Sequence, residues 1–113
     1  MAIDRELLKK VVTFIEEKKG REIALLDLRG ISVVTDYFLI VTGNSRTQTK
    51  AIAEYLMQEM DGWGIPLLRT EGLSEASWVL MDCGDLVIHM MTADTRDFYN
   101  LERLWGDAPT VVF

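Results

Sequence analysis

The 113-residue chain is predicted to fold as one mixed α/β domain (the α+β kind), with a sheet of about five strands flanked by helices. Its length is close to the commonest domain size, and its 49% apolar content is enough for a single core. Helical and strand-like segments follow the order α-β-β-α-β-β-β-α, which is neither strict βαβ alternation nor an unbroken run of strands. We expect the domain to occupy residues 1–106, followed by a short tail, residues 107–113.

Three segments repeat apolar residues at the spacing of an α-helix. The first follows Asp4, which is a suitable N-cap. The second begins at Ser45, which forms a capping-box signature with Gln48. The third is predicted over residues 94–106, with Tyr99 outside its apolar stripe. That stripe is expected to be buried and consists of Phe98, Leu101, Leu104 and Trp105.

Five shorter segments are rich in apolar and β-branched residues and predict strands over 22–28, 36–43, 66–70, 78–82 and 86–92. The second of these, DYFLIVTG, is an almost continuous apolar run, which is typical of a central strand covered on both faces. The last two are joined through Cys83 and Gly84, between Asp82 and Asp85. Gly84 can supply the positive φ that tight hairpins require, so the sequence predicts a β-hairpin with an acidic tip.

The composition narrows the possible functions. Twelve basic and 18 acidic residues give a net charge of −6, which disfavours direct nucleic-acid binding and suits a basic protein partner. A single cysteine, Cys83, allows no internal disulfide, and the absence of Cys/His clusters argues against zinc. No apolar run approaches the ~18 residues of a membrane span. We therefore expect a cytoplasmic protein without a cofactor, metal ion or membrane contact.

An enzymatic interpretation remains open as the alternative. Ser45, between a strand and a helix, could cradle a phosphate, and Asp82 with Asp85 could hold Mg²⁺, as in a nucleotidyltransferase-like enzyme. Helix capping and turn chemistry explain the same residues, and Val87 stands where a second metal-binding acid would be needed. His89 has no nucleophile beside it in the sequence and is interpreted as a half-buried structural histidine.

A protein-contact surface is the main functional hypothesis. Trp78 opens a strand after a polar loop, Tyr99 lies off the apolar stripe, and Cys83 is expected at an exposed turn tip. Large aromatic residues off the core face are typical of contact surfaces. The sequence supports equally the alternative that Trp78 simply covers the edge of the core.

Four stretches resemble the Iojap/ribosomal silencing factor (RsfS) family, and the similarity runs from the first helix to Trp105. The pattern W-x-x-x-D-x-G-D-x-x-x-H, with a later L-W, is fairly specific. The stretches are DYFLIVTGNSRTQ (36–48), EG (71–72), WVLMDCGDLVIH (78–89) and FYNLERLW (98–105). The resemblance implies a nucleotidyltransferase-like fold with no established transferase activity.

The resemblance also implies a function. It predicts binding to the large ribosomal subunit through its interface protein numbered fourteen, which blocks joining of the small subunit and represses translation. The partner-binding patch carries over onto Trp78, Cys83 and Tyr99, with Met81, Asp82 and Asp85 beside them. Cys83 replaces what is usually a larger apolar or aromatic residue, so a different contact is expected there. Family members form dimers, and a homodimer through the sheet edge, the last helix or the 110–113 segment is a further prediction.

Overall fold

The computed structural model describes residues 3–113, which form one five-stranded mixed sheet with helices on both faces. The strand order is β1-β2-β5-β4-β3; β2 and β5 are parallel, and the other neighbours are antiparallel. This confirms the predicted fold class and element order, except that the last helix is split. The elements are α1 (Arg5–Glu17), β1 (Arg21–Asp27), β2 (Tyr37–Gly43), α2 (Arg46–Gly62), β3 (Arg69–Glu71), β4 (Trp78–Asp82), β5 (Leu86–Thr92), α3 (Ala93–Tyr99) and α4 (Leu101–Leu104).

Different helices bury the two faces of the sheet. One face packs against α1 and α2, whose stripes lie in the larger apolar cluster: Leu8, Val11 and Ile15 from α1, and Ile52, Ala53, Leu56 and Met60 from α2. The other face carries a smaller cluster. It is built on Leu26, Leu28, Ile40 and Met91, against which Phe38, Trp78, Leu101, Trp105 and Ala108 pack. Within residues 3–113, no helix has the length and apolar character that crossing a membrane demands.

The predicted helix starts are confirmed. The Asp4 carboxylate accepts a hydrogen bond from the backbone N–H of Leu7 at 2.8 Å. The Ser45 hydroxyl accepts one from the backbone N–H of Gln48 at 3.1 Å, and the Gln48 side chain accepts from the N–H of Asn44. Both helices therefore begin with satisfied donors, as the capping signatures indicate.

The strand predictions hold with one shift. β2 lies between β1 and β5 and is buried at all positions but one, which confirms it as a central strand. In the β4–β5 hairpin Gly84 has a φ of +84°, and its N–H donates to Asp82 Oδ1 at 3.0 Å. The third strand occupies Arg69–Glu71 rather than 66–70, because β4 ends at Asp82, opposite Arg69, and leaves the earlier residues only limited pairing.

The prediction of one continuous last helix over residues 94–106 is wrong. Asn100 adopts left-handed backbone angles, φ 45° and ψ 62°, and separates α3 from α4. The break turns the two short helices relative to each other, so only Leu101 and Trp105 of the predicted stripe pack on the sheet. The side chains of Phe98 and Leu104 are instead 80% and 74% exposed.

The C-terminal tail lies along the outer edge of β1. The N–H of Asp27 donates to the carbonyl of Pro109 at 2.9 Å, and the N–H of Val111 donates to the carbonyl of Leu25 at 2.8 Å. Arg5 donates from its guanidinium to the Val112 carbonyl at 2.7 Å. The tail therefore covers a strand edge that would otherwise present unpaired backbone groups.

The guanidinium of Arg96 fixes the C-terminal helices to the sheet. Arg96 is buried and donates to the backbone carbonyl of Glu22, to Thr42 Oγ1 at 2.9 Å and to Glu102 Oε1 at 2.9 Å. These bonds join α3 to β1, to β2 and to α4. One side chain thus ties both α3 and α4 to the sheet, in addition to the packing of Leu101 and Trp105.

Replacing this residue is expected to destabilise the domain. In Arg96→Met the Glu22 carbonyl and the Thr42 hydroxyl lose their donor, and we expect the free energy of unfolding in urea to fall by about 2–4 kcal/mol. The matched control is Arg103→Met, since Arg103 is exposed and should change stability by no more than about 0.5 kcal/mol. Equal losses in the two variants would contradict the anchoring role.

Candidate functional site

An aromatic patch is formed where β4 begins and α3 ends. The rings of Trp78 and Tyr99 lie with centroids 4.8 Å apart, and the Phe98 ring follows at 5.0 Å from that of Tyr99. Trp78 is half-buried and Tyr99 is 53% exposed. We define the aromatic patch as Trp78, Phe98, Tyr99 and Leu104. Trp78 therefore fits both interpretations that the sequence left open. It covers the edge of the smaller core, and it also contacts the exposed ring of Tyr99.

Phe98 and Leu104 were predicted to be core residues, so the sequence did not indicate them as part of this patch. The two side chains line one shallow depression together with Tyr99 and Arg103. Asn100 was the available signal, since asparagine is a poor helix former and one of the few residues that accept left-handed backbone angles. A helix break at Asn100 exposes what an unbroken helix would bury.

His89 lies directly beneath the patch. Its Nδ1 accepts a hydrogen bond from the indole Nε1–H of Trp78 at 3.1 Å, and the Phe38 ring meets it edge-on with centroids 4.6 Å apart. Burial lowers the pKa of His89 from 6.5 to about 4, so the imidazole is neutral at neutral pH. The structural interpretation holds, but the residue is 3% exposed rather than half-buried, and only one ring nitrogen has a partner.

The acidic tip lies at the other end of β4. Asp82 and Asp85 are half-buried, and Asp82 lies on the same sheet face as Trp78 because side chains alternate along a strand. Asp82 is four positions after Trp78 along the strand, roughly 13 Å away. The half-buried side chain of Leu80 lies between them on the same face. The aromatic patch, Leu80 and the acidic tip therefore form one strip along β4, which we call the β4 strip.

Two residues of the predicted patch lie elsewhere. Met81 is fully buried on the opposite face, in the larger core cluster, as the alternation from Leu80 requires. The prediction that Cys83 is exposed at the turn tip was wrong. Its N–H donates to the carbonyl of Leu86 at 2.8 Å, and its side chain turns into the same core cluster. Burial raises the pKa of the Cys83 thiol to about 12.

The alternative enzymatic site is not assembled. Ser45 follows the carboxyl end of β2, whereas Asp82 and Asp85 flank the beginning of β5. Because β2 and β5 are parallel and paired over seven residues, the serine and the two carboxylates lie at opposite ends of these strands, roughly 20 Å apart. Asp82 is engaged by the turn through Gly84. Nor do residues 3–113 contain a group of three or more His, Cys, Asp or Glu placed to hold a metal ion.

The family model for ribosomal silencing factor during starvation matches residues 2–113. The chain belongs to the ribosomal silencing factor family. It is 46% identical over 108 residues to ribosomal silencing factor RsfS of Halalkalibacterium halodurans, which covers 96% of this chain and 92% of that protein. It is 47% identical to the Bacillus subtilis protein of the same name, over 93% of this chain and 89% of that protein.

A solved structure and a more distant relative extend this picture of the silencing factor family. A crystal structure from Bacillus halodurans superposes with a TM-score of 0.85 at 43% identity, over 97% of this chain and all of that one. A longer mouse protein, named mitochondrial assembly of ribosomal large subunit protein 1, is 31% identical over 84% of this chain and 43% of its own length. The resemblance is confirmed, and membership implies a ribosome-associated role in regulating translation.

The burial of Cys83 predicts slow thiol chemistry. A pKa raised from 9.0 to about 12 lowers the thiolate fraction at pH 8 by about a thousandfold, and the side chain is also enclosed. We expect a thiol-specific reagent to label the native protein at least about a hundredfold more slowly than the urea-unfolded chain, which serves as the control. Similar rates in the two states would show that Cys83 is accessible.

The separation of Ser45 from the acidic tip predicts that nucleotide and Mg²⁺ do not stabilise the protein together. A ligand that binds only the folded state stabilises it by RT ln(1 + [L]/Kd), so the melting temperature keeps rising as the ligand concentration exceeds Kd. We expect no rise that depends on the concentration of ATP and MgCl₂ up to millimolar levels, measured by calorimetry. A concentration-dependent rise that Asp82→Asn abolishes would restore the enzymatic interpretation.

Proposed function

We propose that this protein binds the large ribosomal subunit in the cytoplasm, at the interface ribosomal protein numbered fourteen, and represses translation by blocking attachment of the small subunit. The observation that carries the proposal is the aromatic patch of Trp78, Phe98, Tyr99 and Leu104 on the β4 strip. Such a repressor acts by occupying a surface. It requires no catalytic group, cofactor or metal ion.

The shape of the patch supports a protein partner. Its three aromatic rings follow one another at centroid distances of 4.8 and 5.0 Å, and two of them are more than half exposed. Large aromatic side chains that lose their remaining water in an interface each contribute about 2 kcal/mol or more. Trp78 is the expected central anchor, because Tyr99 and His89 already support its ring on two sides.

The charge around the patch supports a basic partner. Asp94 and Asp97 are exposed on α3 beside Phe98, and Asp82 and Asp85 lie at the far end of the β4 strip. Together with the net charge of −6, these carboxylates should speed and orient docking on a basic surface, in a salt-sensitive manner. The mouse relative, whose name refers to assembly of the ribosomal large subunit, supports the large subunit as the target.

A homodimer, if formed, is proposed to compete with docking. Residues 109–111 already cover the β1 edge, and β3 offers only three residues for pairing at the other edge. The exposed apolar side chains of α3 and α4, Phe98 and Leu104, are the better candidates for contact between copies. A dimer through these helices would bury the aromatic patch, so dimer and ribosome complex would exclude each other.

Substituting Trp78 tests the proposal directly. We expect Trp78→Ala to lower the affinity for purified large subunits at least about tenfold in co-sedimentation, since an aromatic anchor is lost. Tyr55→Ala is the control, because Tyr55 is also a large aromatic residue in contact with solvent but lies on α2, which covers the other face of the sheet. Circular dichroism melts of both variants establish that the fold is retained.

Each result of this experiment has a definite meaning. Wild-type protein should sediment with large subunits and not with small subunits, and Tyr55→Ala should behave like the wild type. Unchanged binding by folded Trp78→Ala would remove Trp78 from the anchor role. No co-sedimentation of the wild-type protein at moderate salt would overturn the proposed function itself.

A further inference from the structure

We infer that His89 is a positioning residue of the docking surface, which holds the Trp78 indole in its binding orientation without contacting the partner. The inference rests on the proposed function, because it concerns the same surface. Stability alone does not explain why a buried histidine with one unpaired ring nitrogen lies beside Trp78.

The sheet brings the two side chains together. In the antiparallel β4–β5 pair, His89 lies opposite Leu80, and Trp78 lies opposite Met91. Trp78 and His89 are therefore diagonal neighbours on one face, within reach of long aromatic side chains. The indole N–H donates to His89 Nδ1 at 3.1 Å. Because strand pairing determines the relative position of the two residues, His89 Nδ1 lies within hydrogen-bond reach of the indole N–H.

The acceptor itself cannot move freely. His89 is 3% exposed, sits in the centre of β5, and has the Phe38 ring against it at a centroid distance of 4.6 Å. In the parallel β2–β5 ladder it pairs with Ile40, a fully buried residue of the smaller core. A fixed acceptor gives the half-exposed tryptophan one preferred ring orientation.

Holding the tryptophan costs stability. Because Nδ1 accepts a hydrogen bond, the proton of the neutral imidazole must be on Nε2. Nε2 is buried and has no hydrogen-bond partner among residues 3–113. An unpaired buried donor destabilises the folded state, and a leucine of similar size would avoid that penalty. Histidine at this position therefore lowers the stability of the core but provides a hydrogen-bond acceptor for the indole N–H.

Ring orientation matters because the opposite support is weak. Tyr99 packs on Trp78 but is itself 53% exposed and lies at the end of a seven-residue helix. Without the hydrogen bond the indole can rotate, and a partner must then restrict this rotation when it binds, which weakens affinity. His89 thus acts on binding through Trp78, as a residue that is itself too buried to touch the partner.

Two variants of similar size separate this role from a structural one. In His89→Asn the side-chain oxygen can take the place of Nδ1 as acceptor, but the buried amide N–H groups are left unpaired. In His89→Leu both the acceptor and the unpaired donor are removed. The leucine variant should therefore be the more stable of the two and the weaker binder. A purely structural role would make affinity follow stability.

The experiment measures melting temperature, affinity for large ribosomal subunits and the NMR signal of the Trp78 indole N–H, assigned by its absence in Trp78→Phe. We expect His89→Leu to melt at or above the wild-type temperature and to bind about three- to tenfold more weakly. Its indole N–H signal should shift and exchange faster with solvent. His89→Asn should melt lower, yet bind more tightly than His89→Leu. Met90→Leu, a buried control on the opposite face of β5, should leave affinity unchanged.

The outcomes are distinguishable. If the wild-type protein binds and His89→Leu binds equally well, the inference is overturned while the proposed function stands. The same holds if affinity simply follows melting temperature across the variants. If the wild-type protein fails to bind, the proposed function falls, and the inference falls with it. Should His89→Asn not fold, His89→Leu still decides through its affinity and its indole signal.

Discussion

The hydrogen bonds of the buried Arg96 guanidinium are the interactions on which the position of the two C-terminal helices depends. The guanidinium joins β1, β2, α3 and α4 through hydrogen bonds to Glu22, Thr42 and Glu102. The helices it holds have only seven and four residues and would not be stable on their own. Their position therefore comes from tertiary hydrogen bonds and from the packing of Leu101 and Trp105. The aromatic patch is an indirect product of this anchoring.

The two faces of the sheet differ in how completely helices cover them, and the proposed docking surface lies on the less covered one. Two long helices cover one face and leave a large, closed core. Two short helices cover the other face only in part, so that Leu80 and Trp78 stay half-exposed. An incompletely covered sheet is also a surface on which a partner can complete the burial. The same region contains the buried His89, which accepts a hydrogen bond from the Trp78 indole but leaves its other ring nitrogen unpaired in the core.

Local chemistry made much of the fold predictable. The caps at Asp4 and Ser45, the apolar β2 and the hairpin at Gly84 depend on neighbours within a few residues, and each is confirmed. Features that depend on distant parts of the chain were harder to predict from the sequence. The inward turn of Cys83 requires the core beneath the hairpin, and the separation of Ser45 from Asp82 requires the strand order. The burial of Met81 could have been predicted, because side chains alternate along a strand and Met81 must point to the opposite face from Leu80.

The parallel pairing of β2 with β5 has a consequence for synthesis of the protein. β2 is among the most apolar stretches of the chain, yet β5, its parallel neighbour in the sheet, lies roughly 50 residues further on in the sequence. At about 5–20 residues per second, the ribosome leaves this strand without that partner for roughly 2–10 seconds. During that interval only β1 can pair with it, and its other edge is open to wrong association. The nascent chain is thus most vulnerable in the segment that later becomes the centre of the sheet.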